Sequence, residues 1–526
     1  MSDSHAARRE ARGMAAGRSP ERVVMLGLDG LSQSFIDASL VQESMPNLQT
    51  LLRDSALGAL KSTFPPYTAP AWTSITTGVD PGRHGVFGFT DVNGRPIADP
   101  QVAAPRVWDY VGRAGGRSIV VNIPITYPAR PMEGILVAGM PAPSGASFAW
   151  PQQLSEELRS TGYVVDVAVR EGAKESLRTM EALRRMTEIR GRTVARLAAK
   201  ETWDYFGVVF VLPDRIGHPW WKHIVPGSSH YETRAAERVR RHARGPLRAL
   251  DDAIGGLLGA LPSGTAVIVC SDHGFGPLRA EVFVDVALAR AGLAPLPAGR
   301  FGHRLASRLG RSHLGRMAPE RLRRAMRDRL ATAGDGSEER AAWAAPSYES
   351  GVRLRDPGDE SLAARAVEVL EGLTEPGGSP VMRSVLRRED VYHGPHVEAA
   401  PHLVCEPLDE SVDIHDGLHA PDPWVSRESL TWGTHTSQGI VALSGAQAQE
   451  GLAGHAPDIA VTSLSLLGLR VEGLDGSSLV EPQSLPPSEP VMAGSDHAGR
   501  SQGGPAYSPD QEEEVLEHLR GLGYVD

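Results

Sequence analysis

Short apolar runs recur along the chain and stop abruptly at turn-forming or ionisable residues. Val23–Leu28 (VVMLGL), Ser118–Ile123 (SIVVNI), Tyr205–Leu212 (YFGVVFVL), Ala266–Cys270 (AVIVC) and Ile440–Leu443 (IVAL) are rich in β-branched residues and scarcely alternate. That is the pattern of strands buried on both faces. Helical spacing fills the intervals, notably over Ser155–Ser160, Leu177–Ala199 and Arg234–Leu261. Strands alternating with helices predict an α/β fold on a mostly parallel sheet.

The pattern also divides the chain. Residues 1–21 are basic and lack an apolar core, so they read as a disordered N-terminus rather than a secretory signal. Core sequence is expected over 22–292 and again over 346–481, interrupted at 293–345 by an Arg-rich helical cap with Leu305, Leu309, Leu322, Met326 and Leu330 at helical spacing. Residues 482–507, rich in Pro, Ser and Gly, read as a flexible linker. A terminal helix over 508–526 opens at Ser508 with Asp510 and Glu512–Glu514 in its first turns, where acids favour the helix dipole.

Composition narrows the function classes. The 526 residues carry a net charge of −10, which argues against general nucleic-acid or anionic-membrane binding. Ten arginines between Arg300 and Arg329 stand out, but arginines on amphipathic helices most often form a solvated face. Two cysteines, Cys270 and Cys405, make no disulfide framework; with no apolar run long enough to span a bilayer, a cytoplasmic protein is expected.

Chemistry gathers beside the apolar runs. Asp29 follows VVMLGL, Asp214 and His218 follow the run ending VVFVL, Asp272 and His273 follow AVIVCS, and His435 precedes IVAL. Ligands of open α/β sheets collect outside the carboxyl ends of strands, so these groups can converge across 400 residues of sequence. Three Asp and three His form an oxygen/nitrogen set suited to two divalent ions, zinc first and manganese second. Each has a blander reading alone: Asp29 as a turn or cap residue, His435 as a hydrogen-bonded loop residue. For Asp214 and His218 a capped turn competes, because Gly217 and Pro219 spoil a helix. Asp272-His273 is the most specific pair, since two ionisable groups beside a buried strand are costly unless they bind something. Thr68, at the entrance of a helix over Pro70–Thr77, is the candidate nucleophile; its alternative is to cap that helix. Trp220 and Trp221 read equally as core packing or as a wall for an aromatic substrate.

Taken in order, LDG, YTAPAWTSITTGVDPGRHGVFGF, PDRIGH, SDHGFG and GTHTSQG resemble the type I phosphodiesterase/nucleotide pyrophosphatase branch of the alkaline phosphatase superfamily. The resemblance is stronger still to its bacterial subgroup of predicted phosphohydrolases or phosphomutases, whose terminal LRGLGYV is also similar. It implies an alkaline-phosphatase-like sandwich with helices on both faces of the sheet and an inserted helical cap. It further implies one metal at Asp214, His218 and His435, and a second at Asp29, Asp272, His273 and the Thr68 oxygen. Thr68 would form a phosphothreonine intermediate that water then hydrolyses. One departure is plain: nucleotide pyrophosphatases follow the nucleophile with Phe-Pro-Asn, whereas this chain has Ala69-Pro70-Ala71 and lacks that amide.

The leading expectation is therefore a two-metal phosphohydrolase acting on a small phosphodiester or phosphoanhydride, with no nucleic-acid or membrane partner. No Arg or Lys neighbours Thr68 in sequence to neutralise the extra charge of a monoester; Arg83, Lys222 and the Arg300–Arg329 segment are the candidates that folding would have to bring in. The rivals are a phosphomutase or phosphomonoesterase of the same superfamily, and a non-catalytic protein binding an anion or nucleic acid.

Overall fold

The computed structural model describes residues 20–167, 173–295, 340–346, 349–418, 420, 422–482, 485–486, 488–491, 506–522 and 524. The expected N-terminal tail, nearly all of the Arg-rich cap and most of the linker lie outside these residues. The chain divides into two compact units: residues 1–277, 392–399 and 431–526 form the first, and 278–391 with 400–430 the second.

The first unit is built on a nine-stranded sheet. Its strands are β1 (Arg22–Leu28), β2 (Ala56–Lys61), β3 (Ser118–Val121), β4 (Gly134–Val137), β5 (Ala149–Trp150), β6 (Tyr205–Phe210), β7 (Thr265–Cys270), β10 (Gln438–Ser444) and β11 (Ala453–His455). A separate two-stranded ribbon pairs β8 (Gly274–Pro277) with β9 (Gly433–Thr436). The sheet order is β11-β2-β10-β7-β1-β6-β3-β4-β5. From β7 to β4 every pair is parallel, while β10 runs antiparallel to both its neighbours. Every residue of β6 is buried and β1 is buried from Val23 to Leu28, which is why these runs do not alternate.

Five helices matter below: α1 (Thr68–Thr77), α2 (Ala173–Lys200), α3 (Leu212–Ile224), α4 (Arg234–Ala260) and α5 (Pro509–Leu522). Two of their sequence expectations need correction. The apolar run ending at Leu212 is a strand only to Phe210, and Asp214 and His218 sit on a helix rather than a capped turn. Around Pro219, a loop distant in sequence bonds to the backbone of helix α3. Lys222 N–H donates to the Thr431 carbonyl at 3.1 Å, and the Thr431 hydroxyl donates to the Pro219 carbonyl at 2.7 Å. Gly217 serves packing instead of breaking the helix: a Cβ there would lie 2.9 Å from the Phe275 ring. Trp220 and Trp221 are buried, and Trp221 packs against Phe35 and Phe275, so the tryptophans belong to the core.

Helix α5 joins the first unit. Val515 and Leu519 are buried, and just before the helix Tyr507 stacks on Tyr127 and donates to the Pro141 carbonyl. Ser508 and Gln511 exchange side-chain and backbone hydrogen bonds at its start.

The second unit has its own core around Val352, Leu354, Leu370 and Leu403. An antiparallel sheet in the order Ala342–Ala344, Gly351–Leu354, Leu403–Pro407, Met382–Arg387 packs with helix Glu360–Glu371.

Gly27, near the end of β1, leaves the space that the Trp72 ring fills. A Cβ added there would lie 2.4 Å from that ring and 2.8 Å from Val209. We expect Gly27→Ala to destabilise the protein by about 1–3 kcal/mol through overpacking. Urea unfolding measures it, and an unchanged midpoint would show that Trp72 can shift freely.

Candidate active site

Strands β7, β1 and β6 lie side by side and parallel, so their carboxyl ends are neighbours roughly 4.8 Å apart. Asp272 follows β7 by one residue, Asp29 follows β1 directly, and Asp214 follows β6 at the first turn of α3. Three carboxylates from three segments thus meet, all fully buried.

The imidazoles arrive from the same end. One turn along α3, His218 points its Nε2 at Asp214 Oδ1, 3.2 Å away. His273 follows Asp272. His435 lies on β9 opposite Phe275 of β8, and its ring stacks on His273 with centroids 3.7 Å apart. His435 Nε2 is 3.2 Å from Asp214 Oδ1 and 3.0 Å from His218 Nε2. Ligand-type atoms of Asp214, His218 and His435 all lie within 4.8 Å of one another, and so do those of Asp29, Asp214 and His273. Asp214 belongs to both groups.

Hydrogen bonding indicates what these groups face. His273 Nδ1 lies 2.9 Å from the Gly274 carbonyl, and His435 Nδ1 lies 3.1 Å from the Pro66 carbonyl. A carbonyl only accepts, so each Nδ1 carries a proton and each Nε2 turns inward, as a lone pair whenever the ring is neutral. Those lone pairs face carboxylate oxygens: His273 Nε2 is 3.3 Å from Asp272 Oδ2 and 3.5 Å from Asp29 Oδ1. Both oxygens are buried and accept no hydrogen bond. The opposite oxygens are satisfied, Asp29 Oδ2 by Trp72 Nε1–H at 3.2 Å and Asp272 Oδ1 by Gly30 N–H at 3.2 Å. Acceptors facing acceptors in a buried cleft are the chemistry of a cation site, and an Asp/His set without thiolate fits a divalent ion such as zinc or manganese.

Electrostatics agree. Burial, and then the nearby Asp214, holds the Asp29 carboxyl well above its usual range. Asp272 is raised by burial and then by Asp29. Burial pushes Asp214 up as well, but His218 and Arg215 outweigh it and hold that carboxyl well below normal. Burial, reinforced by His435, keeps His273 neutral. Positive charge brought among these groups would reverse the penalty on the two raised acids.

Thr68 is the first residue of α1 and is fully buried. Its side chain does not cap the helix. Its Oγ1 lies 3.4 Å from His273 Nε2, at the edge of the second group. The structure therefore brings all seven sequence-derived residues together. Arg83 is paired with Asp475, and Lys222 is a buried residue of α3. The Arg300–Arg329 segment lies outside the described residues.

A family model described as type I phosphodiesterase/nucleotide pyrophosphatase matches residues 23–435. The chain belongs to that family. No curated protein matches it by sequence. Among solved structures it is similar to phosphonoacetate hydrolase from Sinorhizobium meliloti 1021 in complex with phosphonoformate, at a TM-score of 0.55 and 16% identity over 85% of this chain and 96% of that one. Human ectonucleotide pyrophosphatase/phosphodiesterase 5 is similar at a TM-score of 0.50 and 14% identity, with 88% and 99% of the two chains covered. At these identities the likeness speaks to the fold: an alkaline-phosphatase-like α/β architecture. Family membership makes this type I phosphodiesterase relative a phosphoester hydrolase.

Sequence reasoning missed a second layer in this phosphodiesterase-family site. Arg215, next to Asp214 and 1% exposed, pairs with Asp214 Oδ2 and with Asp166 Oδ2 at 2.8 Å. His518 of α5 lies 3.4 Å from the same Asp166 oxygen, and the Tyr524 hydroxyl is 3.3 Å from Thr68 Oγ1. Arg215 was visible within PDRIGH and Tyr524 within LRGLGYV, but nothing in their spacing pointed to the site. Burial opposes the charge of Asp166, yet Arg215 and then His518 hold its carboxyl far below the usual range. We expect Asp166→Ala to destabilise the fold by roughly 3 kcal/mol, because it strips a buried guanidinium of one of its two carboxylates. Denaturant titration at neutral pH measures this, and a loss below about 1 kcal/mol would mean that Asp214 alone suffices.

Proposed function

We propose that this hydrolase cleaves a small phosphodiester or phosphoanhydride with Thr68 as nucleophile, through a phosphothreonine intermediate. The observation that carries the reading is the Thr68 hydroxyl, held on the first turn of α1 within 3.4 Å of His273 in a cleft of inward-facing acceptors. Asp214, His218 and His435 would hold one divalent ion, zinc first and manganese second, and Asp29, Asp272, His273 and the Thr68 oxygen another. When bound, such ions supply Lewis-acid stabilisation of charge developing on oxygen.

The chain's own groups do the rest. Thr68 Oγ bonds to phosphorus as the P–O bond to the leaving group breaks, and the leaving group departs with a proton. Water then displaces Thr68 from the phosphoryl group and restores the hydroxyl. Free N–H groups at the start of α1 favour the anionic phosphoryl oxygens. Trp72 and Gly30 orient Asp29 and Asp272, and the two backbone carbonyls fix the His273 and His435 tautomers. The diester preference is supported by the state of Arg215, a cation beside the site: it is already engaged by two carboxylates rather than held free for a second phosphoryl charge. Ala71, where nucleotide pyrophosphatases carry Asn, favours another phosphodiester or anhydride over a nucleotide.

Hydrolysis of bis(p-nitrophenyl) phosphate tests the reading. We expect turnover that a chelator removes and zinc or manganese restores, and that Thr68→Ala lowers by at least ~100-fold. Undiminished activity in Thr68→Ala would place the nucleophile elsewhere. Absence of turnover with metal bound, or isomerised rather than hydrolysed phosphomonoester, would favour a phosphomutase, and failure to bind metal at all would favour a binding protein.

His218 is the most open of these residues, with about a third of its side chain exposed. We expect His218→Ala to fold normally and to retain less metal on dialysis, by ~10–100-fold in affinity. Metal content by atomic emission and the thermal midpoint read the two effects separately; full retention would remove His218 from the ligand set.

A further inference from the structure

Tyr524 follows α5 in the sequence but lies beside the residue proposed as nucleophile. Its ring is 4% exposed, packed on Phe89 with centroids 4.7 Å apart and beneath the Arg215 guanidinium at 5.6 Å. Its hydroxyl meets three polar groups. Arg215 Nη1 donates to it at 3.2 Å, it lies 3.4 Å from Asp214 Oδ2 as a donor, and it shares a hydrogen bond with Thr68 Oγ1 at 3.3 Å. The backbone fixes the approach, since Tyr524 N–H donates to the Leu519 carbonyl at 3.0 Å. Helix α5 touches the same network a second time through His518 and Asp166, which in turn holds Arg215.

We propose that Tyr524 is a positioning residue of the active site, whose hydroxyl holds the Thr68 oxygen in register with Arg215 and Asp214. The inference rests on the reading of Thr68 as nucleophile. A phenol suits the task because it offers one proton and accepting lone pairs in the same place. While Thr68 keeps its proton, the phenol oxygen accepts from Thr68 and Arg215 and donates to Asp214. Once the Thr68 oxygen attacks, the phenol turns its proton toward that oxygen and leaves Arg215 in place. No other residue need move, and the aromatic ring, wedged between Phe89 and the guanidinium, resists rotation of the whole group.

The test uses the full chain with Tyr524→Phe, which keeps the ring and removes the hydroxyl, beside Thr68→Ala and Tyr507→Phe. Tyr507 anchors the start of the same tail through the Ile97 and Pro141 carbonyls, away from the polar cluster, and its variant reports loss of docking alone. We expect Tyr524→Phe to lower kcat on bis(p-nitrophenyl) phosphate by ~10–100-fold, the worth of a hydrogen bond to a charged group, with KM changed less than about threefold. Bound metal and thermal midpoint stay at wild-type values. Combining Tyr524→Phe with Thr68→Ala adds no further loss, because the hydroxyl acts through Thr68. Wild-type kcat in Tyr524→Phe with Thr68→Ala inactive would overturn the positioning role and leave the nucleophile standing. Wild-type kcat in Thr68→Ala would instead overturn the reading beneath it. A Tyr524→Phe chain that loses metal or stability to the same extent as kcat, as a docking defect would, also overturns the proposal, since the hydroxyl would then serve only the fold.

Discussion

Asp29, Asp214 and Asp272 repel one another where all three are fully buried, and the rest of the site is arranged around that repulsion. Each is fully buried, and burial alone raises the cost of its charge. Three adjacent parallel strands force the meeting, because parallel strands end on the same side of the sheet and neighbours lie under 5 Å apart. A protein has few ways to keep such a cluster: protonate it, pair it with arginine, or give it a cation. Arg215 covers one side of Asp214. The unsatisfied oxygens of Asp29 and Asp272 face the inward lone pair of His273, where only positive charge improves every contact at once.

Preorganisation explains how the ring of acceptors persists. Both site carbonyls that fix imidazole tautomers belong to segments with other tasks: Gly274 begins β8, and Pro66 precedes α1. Ser271 adds a staple, accepting Leu31 N–H at 2.7 Å and donating to the His273 carbonyl at 2.7 Å, so the loops after β1 and β7 are tied together. Trp72 joins α1 to β1 by filling the space over Gly27 and bonding Asp29. The helix that carries Thr68 is thereby registered against the carboxylate cluster by an interaction that does not involve Thr68 itself.

Strand ends bearing Asp and His were legible in the sequence because buried parallel strands leave a plain apolar signature and the chemistry follows it immediately. Helix α3 was not legible. Gly217 and Pro219 oppose a helix by every local rule, and their surroundings are tertiary: Thr431 bonds the backbone at Pro219 and Lys222, and Phe275 occupies the space a side chain at 217 would need. Arg215 carries no mark in the sequence for a related reason. In sequence it is one arginine among fifty, and only burial between two carboxylates distinguishes it.

By itself the sequence determined the α/β class, five of the nine strands of the central sheet, and the seven Asp, His and Thr residues that the fold assembles, because apolar periodicity and strand-end chemistry are local properties. Tertiary structure decided the rest. Strand order across the sheet put β1 between β6 and β7 and so made three distant acids neighbours. Docking of α5 brought Tyr524 to Thr68 across more than 450 residues, and pairing with Asp166 tied Arg215 down. Such contacts depend on which surfaces meet after folding, and residue spacing carries no record of that.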